Sequence, residues 1–181
     1  MFQTKNFYLW LLQIIGLLGL LALCLWLSLR PKKPNFTITE FSIPTSVSDE
    51  NQSASFKYVL VVKNPDKESS IYYDDILMSF KYKQDMVGNN TIPSFDQGKD
   101  KTTNQVIDKV DVNPKVRGAL AKAVSNGTAE LNVDLSTSIQ YKTWHVKSKH
   151  HKIKFQGVVP IGADGKIKGK KKKVKLHGNK G

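Results

Sequence analysis

Cysteine is almost missing: Cys24 is the only one among 181 residues. One thiol cannot close an internal disulfide, which excludes a stapled secreted miniprotein. It also excludes a Cys-rich zinc or iron–sulfur centre. Histidine is scarce as well, limited to His145, His150, His151 and His177. None of these makes an HxH, HExxH or Cys/His spacing, and neighbours such as His150 and His151 point to opposite faces of a strand. No Ser stands in a GxSxG elbow. Gly157, Gly162 and Gly165 lack the spacing and the strand–loop–helix setting of a phosphate loop. Asp74-Asp75 has no DxDxDG-type loop around it and reads as a solvated strand edge. No catalytic residue, metal ligand or cofactor is therefore assigned, and an enzyme is not expected. No internal repeat of about 20–50 residues is present, which excludes a solenoid or propeller.

Acidic residues are wanting in one region only. Up to Asp134 the chain holds 15 basic and 14 acidic residues, a net of +1. From Leu135 onward it holds 13 lysines and a single acid, Asp164, so nearly all of the overall +13 sits in the last quarter. A terminal excess points to a tail or face that meets an anionic partner rather than to a globally basic nucleic-acid binder. Its densest part supplies the candidate anion-binding residues Lys166, Lys168, Lys170, Lys171, Lys172, Lys173 and Lys175. No aromatics are interleaved for base stacking, so nucleic acid is not the expected partner.

What the chain does have is a long apolar run. Phe7 to Leu29 spans 23 residues without a charge, enough for a helix to cross a bilayer, which takes about 20. Tyr8, Trp10 and Trp26 are placed as interfacial aromatics. No polar stripe marks a soluble core helix. The run exceeds the apolar stretch of a signal peptide, and Leu27-Ser-Leu-Arg-Pro31 is a poor cleavage site. The segment reads as an uncleaved single-pass anchor through which the protein contacts the lipid bilayer. Pro31 and Pro34 bracket two lysines in a stiff spacer after it.

Beyond the spacer, apolar residues alternate with period two, as in half-buried strands. Phe36 and Ile38, then Phe41 and Ile43, form a first strand whose alternation slips near Glu40, at a bulge. Phe56, Tyr58, Leu60 and Val62 share a face, and Asn64-Pro65-Asp66 ends that run. Further strands follow at Ile76–Tyr82, at Val106, Val110 and Val112, at Leu131–Tyr141 and at Ile153–Ile161, with Asp164-Gly165 as a turn. One segment departs: Asn113-Pro114 caps a short helix with Val116, Leu120, Ala123 and Val124 at helical spacing, stopped by Asn126-Gly127. The fold class is mainly β: a transmembrane helix, then an antiparallel β-sandwich of immunoglobulin/fibronectin III type carrying one short helix. The expected divisions are 1–6 as an N-terminal tail, 7–29 as the anchor, 30–35 as the spacer, 36–165 as the sandwich and 166–181 as a polybasic tail.

Four stretches carry a family resemblance: Arg30-Pro-Lys-Lys-Pro-Asn-Phe-Thr-Ile38, Asn64-Pro65-Asp66, Ile71-Tyr72-Tyr73-Asp74 and Pro160-Ile-Gly-Ala-Asp-Gly-Lys-Ile167. In this order and spacing the chain resembles the plant NDR/HIN-like proteins, which carry a late-embryogenesis-abundant domain of the second subgroup. Asp66 stands where members often have Asn. The resemblance implies a seven-stranded, fibronectin-like sandwich with one helix. It also implies a single-pass protein of the plasma membrane, with the domain outside and a part in defence or stress responses; a plasmodesmal location is the alternative placement.

Orientation rests on two opposed signals. Basic residues flank both sides of the anchor, slightly more on the C-terminal side, which alone favours a cytosolic domain. Against this stand four glycosylation sequons, at Asn35, Asn51, Asn89 and Asn126, all beyond the anchor. They favour an extracellular domain. The expected function is then non-enzymatic binding of a partner at the membrane–wall boundary, the partner being an acidic cell-wall polysaccharide, an anionic lipid or a protein. The alternative is a lipid-binding or membrane-bridging module. It would hold an acyl chain among aromatic strands (Tyr58, Phe80, Tyr82 and Phe155) and set the lysines on a facing bilayer.

Overall fold

A computed structural model describes residues 2–28, 31–44, 54–144, 146–169 and 172–178, with side chains for 7–27 of the first helix. The chain forms two compact units, residues 1–32 and 33–181. The first is helix α1, Phe2–Ser28. Its stretch Phe7–Leu27 has a mean hydropathy of 2.3, long and apolar enough to cross a membrane. Leucines stand exposed all around it, Leu12 and Leu17 by more than two thirds.

The second unit is built from strands β1 (Asn35–Ser42), β2 (Ser55–Lys63), β3 (Ser70–Tyr73), β4 (Ile76–Tyr82), β5 (Asp85–Ile92), β6 (Phe95–Gln97), β7 (Thr102–Asp111), β8 (Ala129–Thr143), β9 (Val146–Lys147), β10 (His151–Ile161), β11 (Val174–Lys175) and β12 (His177–Gly178), with helix α2 at Pro114–Ser125. One sheet has the order β11-β1-β2-β7; the other runs β12-β10-β8-β3-β6, with β4 on β8 and β5 on β4. All pairings are antiparallel.

Alternation produces this sandwich because every second side chain of each sheet faces the other. Phe36, Ile38, Tyr58, Leu60 and Val62 of the first sheet are buried opposite Tyr73, Phe80, Leu131, Val133 and Val159 of the second. Rings interlock across the interface, with Phe36 and Phe155 at 4.9 Å and Phe56 and Phe80 at 4.9 Å between centroids. Tyr58 also sits 5.0 Å from Phe80. Of the aromatics considered for an acyl site, Tyr58 packs on Phe80 and Phe155 on Phe36, and Tyr82 lies partly buried against the core.

Two slips of register shape the outer surface of the first sheet. The bulge expected near Glu40 is present between Ile38 and Glu40. It keeps the apolar residues on either side of it inward: Ile38 before it and Phe41 after it are both buried. A second slip lies between β2 and β7, where Phe56 pairs with Val110 but Tyr58 pairs with Ile107. Because one extra residue is inserted in β7, Val106 faces outward at 64% exposure. Expected as a core position, it is not one; Ile107 packs against the core instead.

The Asn64-Pro65-Asp66 turn closes β2 by side-chain hydrogen bonds. Buried Asn64 accepts from the Asp66 N–H at 3.0 Å and donates to Ser69 O and Gly98 O at 2.9 and 3.1 Å. Asp66 in turn accepts from the Glu68 and Ser69 N–H groups, so this departure from the usual Asn is accommodated by an acceptor-only role. Helix α2 begins where expected, the Asn113 side chain accepting from Lys115 N–H ahead of Pro114, and it buries Val116, Leu120, Ala123 and Val124.

Candidate functional site

The described residues of the basic segment pair with the sandwich. After β10 the chain turns at Gly165, whose φ of 71° is left-handed and where an added Cβ would collide with Ile43 O. Ile43 N–H donates to Gly165 O at 3.0 Å, and Lys166 N–H donates to Asp164 Oδ1 at 3.1 Å. Single bridges join Ser42 to Lys166 and Ile161 to Ile167, and Lys168 N–H donates to Pro160 O at 2.8 Å. Further on, β11 pairs with β1 and β12 with β10. The described parts of the expected 166–181 tail, at 166–168 and 174–178, therefore lie along both sheets.

Aliphatic side chains between the lysines explain this. Ile167 is 6% exposed and Leu176 1%, and burying a side chain of this size contributes about 1.5–3 kcal/mol. Leu176 fills a slot left open by Gly157, where a Cβ would come within 2.6 Å of the leucine Cδ2. The Leu176 N–H donates to Phe36 O at 2.9 Å. With the aliphatics turned in, Lys166, Lys168, Lys172, Lys173 and Lys175 all stand exposed. Lys170 and Lys171 lie outside the described residues.

Lys166 and Lys172 rim a surface cleft of about 550 Å³ at the two register slips. Lys57 adds a third cation, Glu40 and Asp108 bring acids, and Val59, Val106 and Ile107 contribute the apolar lining. The slip that turned Val106 outward thus shapes the floor of this cleft. Lys168 instead reaches across, at 3.2 Å, to the carbonyl oxygen of Gly127, the middle residue of the Asn126 sequon.

No reaction centre accompanies the cleft among the described residues. No three His, Cys, Asp or Glu side chains of these residues come together to hold a metal. His150 Nδ1 pairs with Asp74 Oδ2 at 3.1 Å on the surface, and Asp75 instead accepts the Ser94 N–H at 2.9 Å. The two adjacent acids thus serve different partners. His151 leans toward the Tyr141 ring and His177 lies exposed on β12; His145 lies outside the described residues. The displaced proton affinities belong to the core: burial pushes Tyr58 and Tyr141 up to about 12, and raises Tyr73 further. Tyr73 donates to Gln97 Oε1 at 2.9 Å, and Gln97 donates across the sandwich to Val62 O at 2.8 Å. These groups tie the sheets together.

Of the sequons, Asn89 is exposed on β5, which pairs with β4 alone, and Asn126 is exposed at the end of α2. Asn35, the first residue of β1, is partly buried, and Asn51 lies outside the described residues.

A family model described as late embryogenesis abundant protein matches residues 59–157. Protein NDR1 of Arabidopsis thaliana is 31% identical over 176 residues, covering 91% of this chain and 79% of that protein. The chain belongs to the plant NDR1/HIN1-like family. NDR1/HIN1-like protein 2 of the same plant is 27% identical over 158 residues, covering 81% of this chain and 65% of the relative. Among solved structures, the solution structure of another Arabidopsis thaliana protein is similar at 18% identity and a TM-score of 0.46, covering 73% of this chain and 84% of that one.

The matched family domain runs from the middle of β2 to Gly157 in β10. The basic segment lies outside it, so family membership by itself assigns that segment no role. Two features escape a reading of the sequence. Nothing in a local window links Gly157 to Leu176, because they meet only when β12 returns to β10. Trp144, 81% exposed, lies in a segment of mixed pattern where no period marks it.

Proposed function

We propose that this NDR1/HIN1-like protein is a non-enzymatic, single-pass membrane protein of the plasma membrane, acting in plant defence or stress responses by binding a polyanionic partner. The observation that carries the reading is the split character of residues 166–178. Ile167 and Leu176 are buried, and the described lysines around them, Lys166, Lys168, Lys172, Lys173 and Lys175, are exposed, Lys175 within the β11–β1 pairing. On extended backbone Lys173 and Lys175 share a side about 7 Å apart, a spacing suited to repeated carboxylates. An acidic wall polysaccharide fits this chemistry, and the exposed sequons Asn89 and Asn126 support the outside orientation that would bring it into reach.

Two measurements test the reading. The full chain in detergent should be retained on immobilised polygalacturonate, and retention should weaken with added salt as lysine–carboxylate contacts are screened. Lys172→Glu, Lys173→Glu and Lys175→Glu together should abolish it. Retention equal to that on a neutral polysaccharide would overturn the polyanion reading. Orientation is tested on native membranes, where removal of N-glycans should shift the mass at Asn89 and Asn126. An unshifted mass together with a domain protected from external protease would put the domain inside.

A further inference from the structure

One large exposed aromatic belongs neither to the core nor to the basic segment. Trp144 is 81% and Val146 72% exposed. Both stand at the bend joining β8 to β9, where Thr143 pairs with Val146 and Lys142 with Lys147. Trp144 holds a left-handed backbone with φ of 57°, a conformation that turns ordinarily give to Gly, Asn or Asp and that disfavours bulky residues. Turn geometry therefore does not account for a tryptophan here. The base beneath it is firmly tied. Tyr141 N–H donates to Ser148 Oγ at 3.0 Å, Ser148 N–H to Tyr141 O at 2.8 Å, and the Ser69 and Thr143 hydroxyls lie 2.6 Å apart. The indole is carried outward from this hydrogen-bonded base.

Strand register places this tip at a particular end of the sandwich. Asn35 pairs with Lys63, the chain turns through Asn64–Ser69, and Ser70 pairs with Lys142. Asn35, where the chain arrives from residues 28–34, and Trp144 therefore belong to the same end. That end also carries exposed Lys63, Lys67, Lys99, Lys101, Lys142 and Lys147, against exposed Glu68, Asp96 and Asp100. The opposite end carries α2 and the Gly165 turn.

We propose that this end docks on the bilayer that holds α1, Trp144 and Val146 entering the interfacial layer and the lysines meeting lipid phosphates. The proposal rests on the reading of α1 as a membrane anchor, and it assigns a site distinct from the polyanion edge. Indole is the side chain that settles best at a membrane interface, with an apolar body and one N–H donor. Cations behind an apolar tip are the complement of the phosphates in a headgroup layer. Residues 28–34 can span at most about 25 Å, which keeps the same bilayer always in reach at high effective concentration.

The test uses the full chain. Tryptophan occurs only at positions 10, 26 and 144, so Trp10→Phe with Trp26→Phe leaves Trp144 as the only indole. Reconstituted in phosphatidylcholine–phosphatidylserine nanodiscs, this chain should show blue-shifted emission that is quenched by a spin label at headgroup depth and shielded from soluble quencher. Lys142→Gln and Lys147→Gln should each lower the docked-to-free ratio about fivefold, the effect of one lysine near an anionic surface. A chain that co-elutes with nanodiscs while Trp144 emits as in water would overturn the docking and leave the anchor standing. A chain that does not enter nanodiscs would overturn both. A blue-shifted Trp144 that lipid labels fail to quench would assign the tip to a protein contact and likewise overturn the proposal.

Discussion

The two chemically uniform stretches of this protein, the apolar run of α1 and the lysine-rich run near the C-terminus, look alike as sequence and behave differently as structure. Every part of Phe7–Leu27 has the same character, and its leucines stand exposed around the whole helix. The lysine run is uniform only in charge. Ile167, Val174 and Leu176 interrupt it, and burial of the first and last binds the segment to two sheets. The difference teaches that a charge run need not be a solvated tail. A few aliphatics at the right register are sufficient to order it, because each buried one contributes more than the lysines lose by lying on a surface.

The sharpest way to break this contrast is to remove the attachment. Leu176→Ala should destabilise the sandwich by about 2–5 kcal/mol, read as a lower denaturant midpoint of the detergent-solubilised chain. Unchanged stability would mean that the segment is not held as described. Alkaline pH separates the two regions next. Tyr58 ionises near 10 in the unfolded chain but only at about 12 when folded. Its contribution is therefore full below pH 10 and is lost as pH rises toward 12. The loss is on the order of 3 kcal/mol. The β signal should fade across that window while the helical signal of α1, uncharged from Phe7 to Leu27, persists, and Tyr58→Phe should reduce the dependence, Tyr73 and Tyr141 supplying the remainder.

A subtler change fills the slot instead of emptying it. Gly157→Ala should cost about 1–3 kcal/mol by crowding Leu176. The same change in a Leu176→Ala background should cost less, the coupling of neighbours in contact. The smallest effect belongs to the lysines themselves. Lys172→Glu and Lys173→Glu should leave stability within about 0.5 kcal/mol while reducing polyanion retention, which separates the edge's folding role from its binding role.

Much of the fold is readable one strand at a time. The period-two faces of β2, β4 and β8 fall where the alternation puts them, the bulge before Glu40 shows as a broken period, and the Asn113-Pro114 start of α2 is local capping chemistry. Val106 departs from its expected face because the β7 slip is set by pairing with β2, not by β7's own residues. The candidate surface is half legible. Its lysines are plain in the composition, but the cleft they rim exists only where two slips meet Lys57 and Lys166.

Composition and periodicity, then, determined by themselves a membrane-length apolar helix, a mainly β unit with one short helix and a concentrated terminal charge. These features arise from hydrophobicity and local backbone preference, which act within a window of a few residues. Only the tertiary structure decided that Leu176 enters the slot of Gly157, that Tyr73 and Gln97 tie one sheet to the other, and that Trp144 shares an end of the sandwich with Asn35. Each of these joins residues far apart in the chain, and the register of strand pairing alone sets which of them meet.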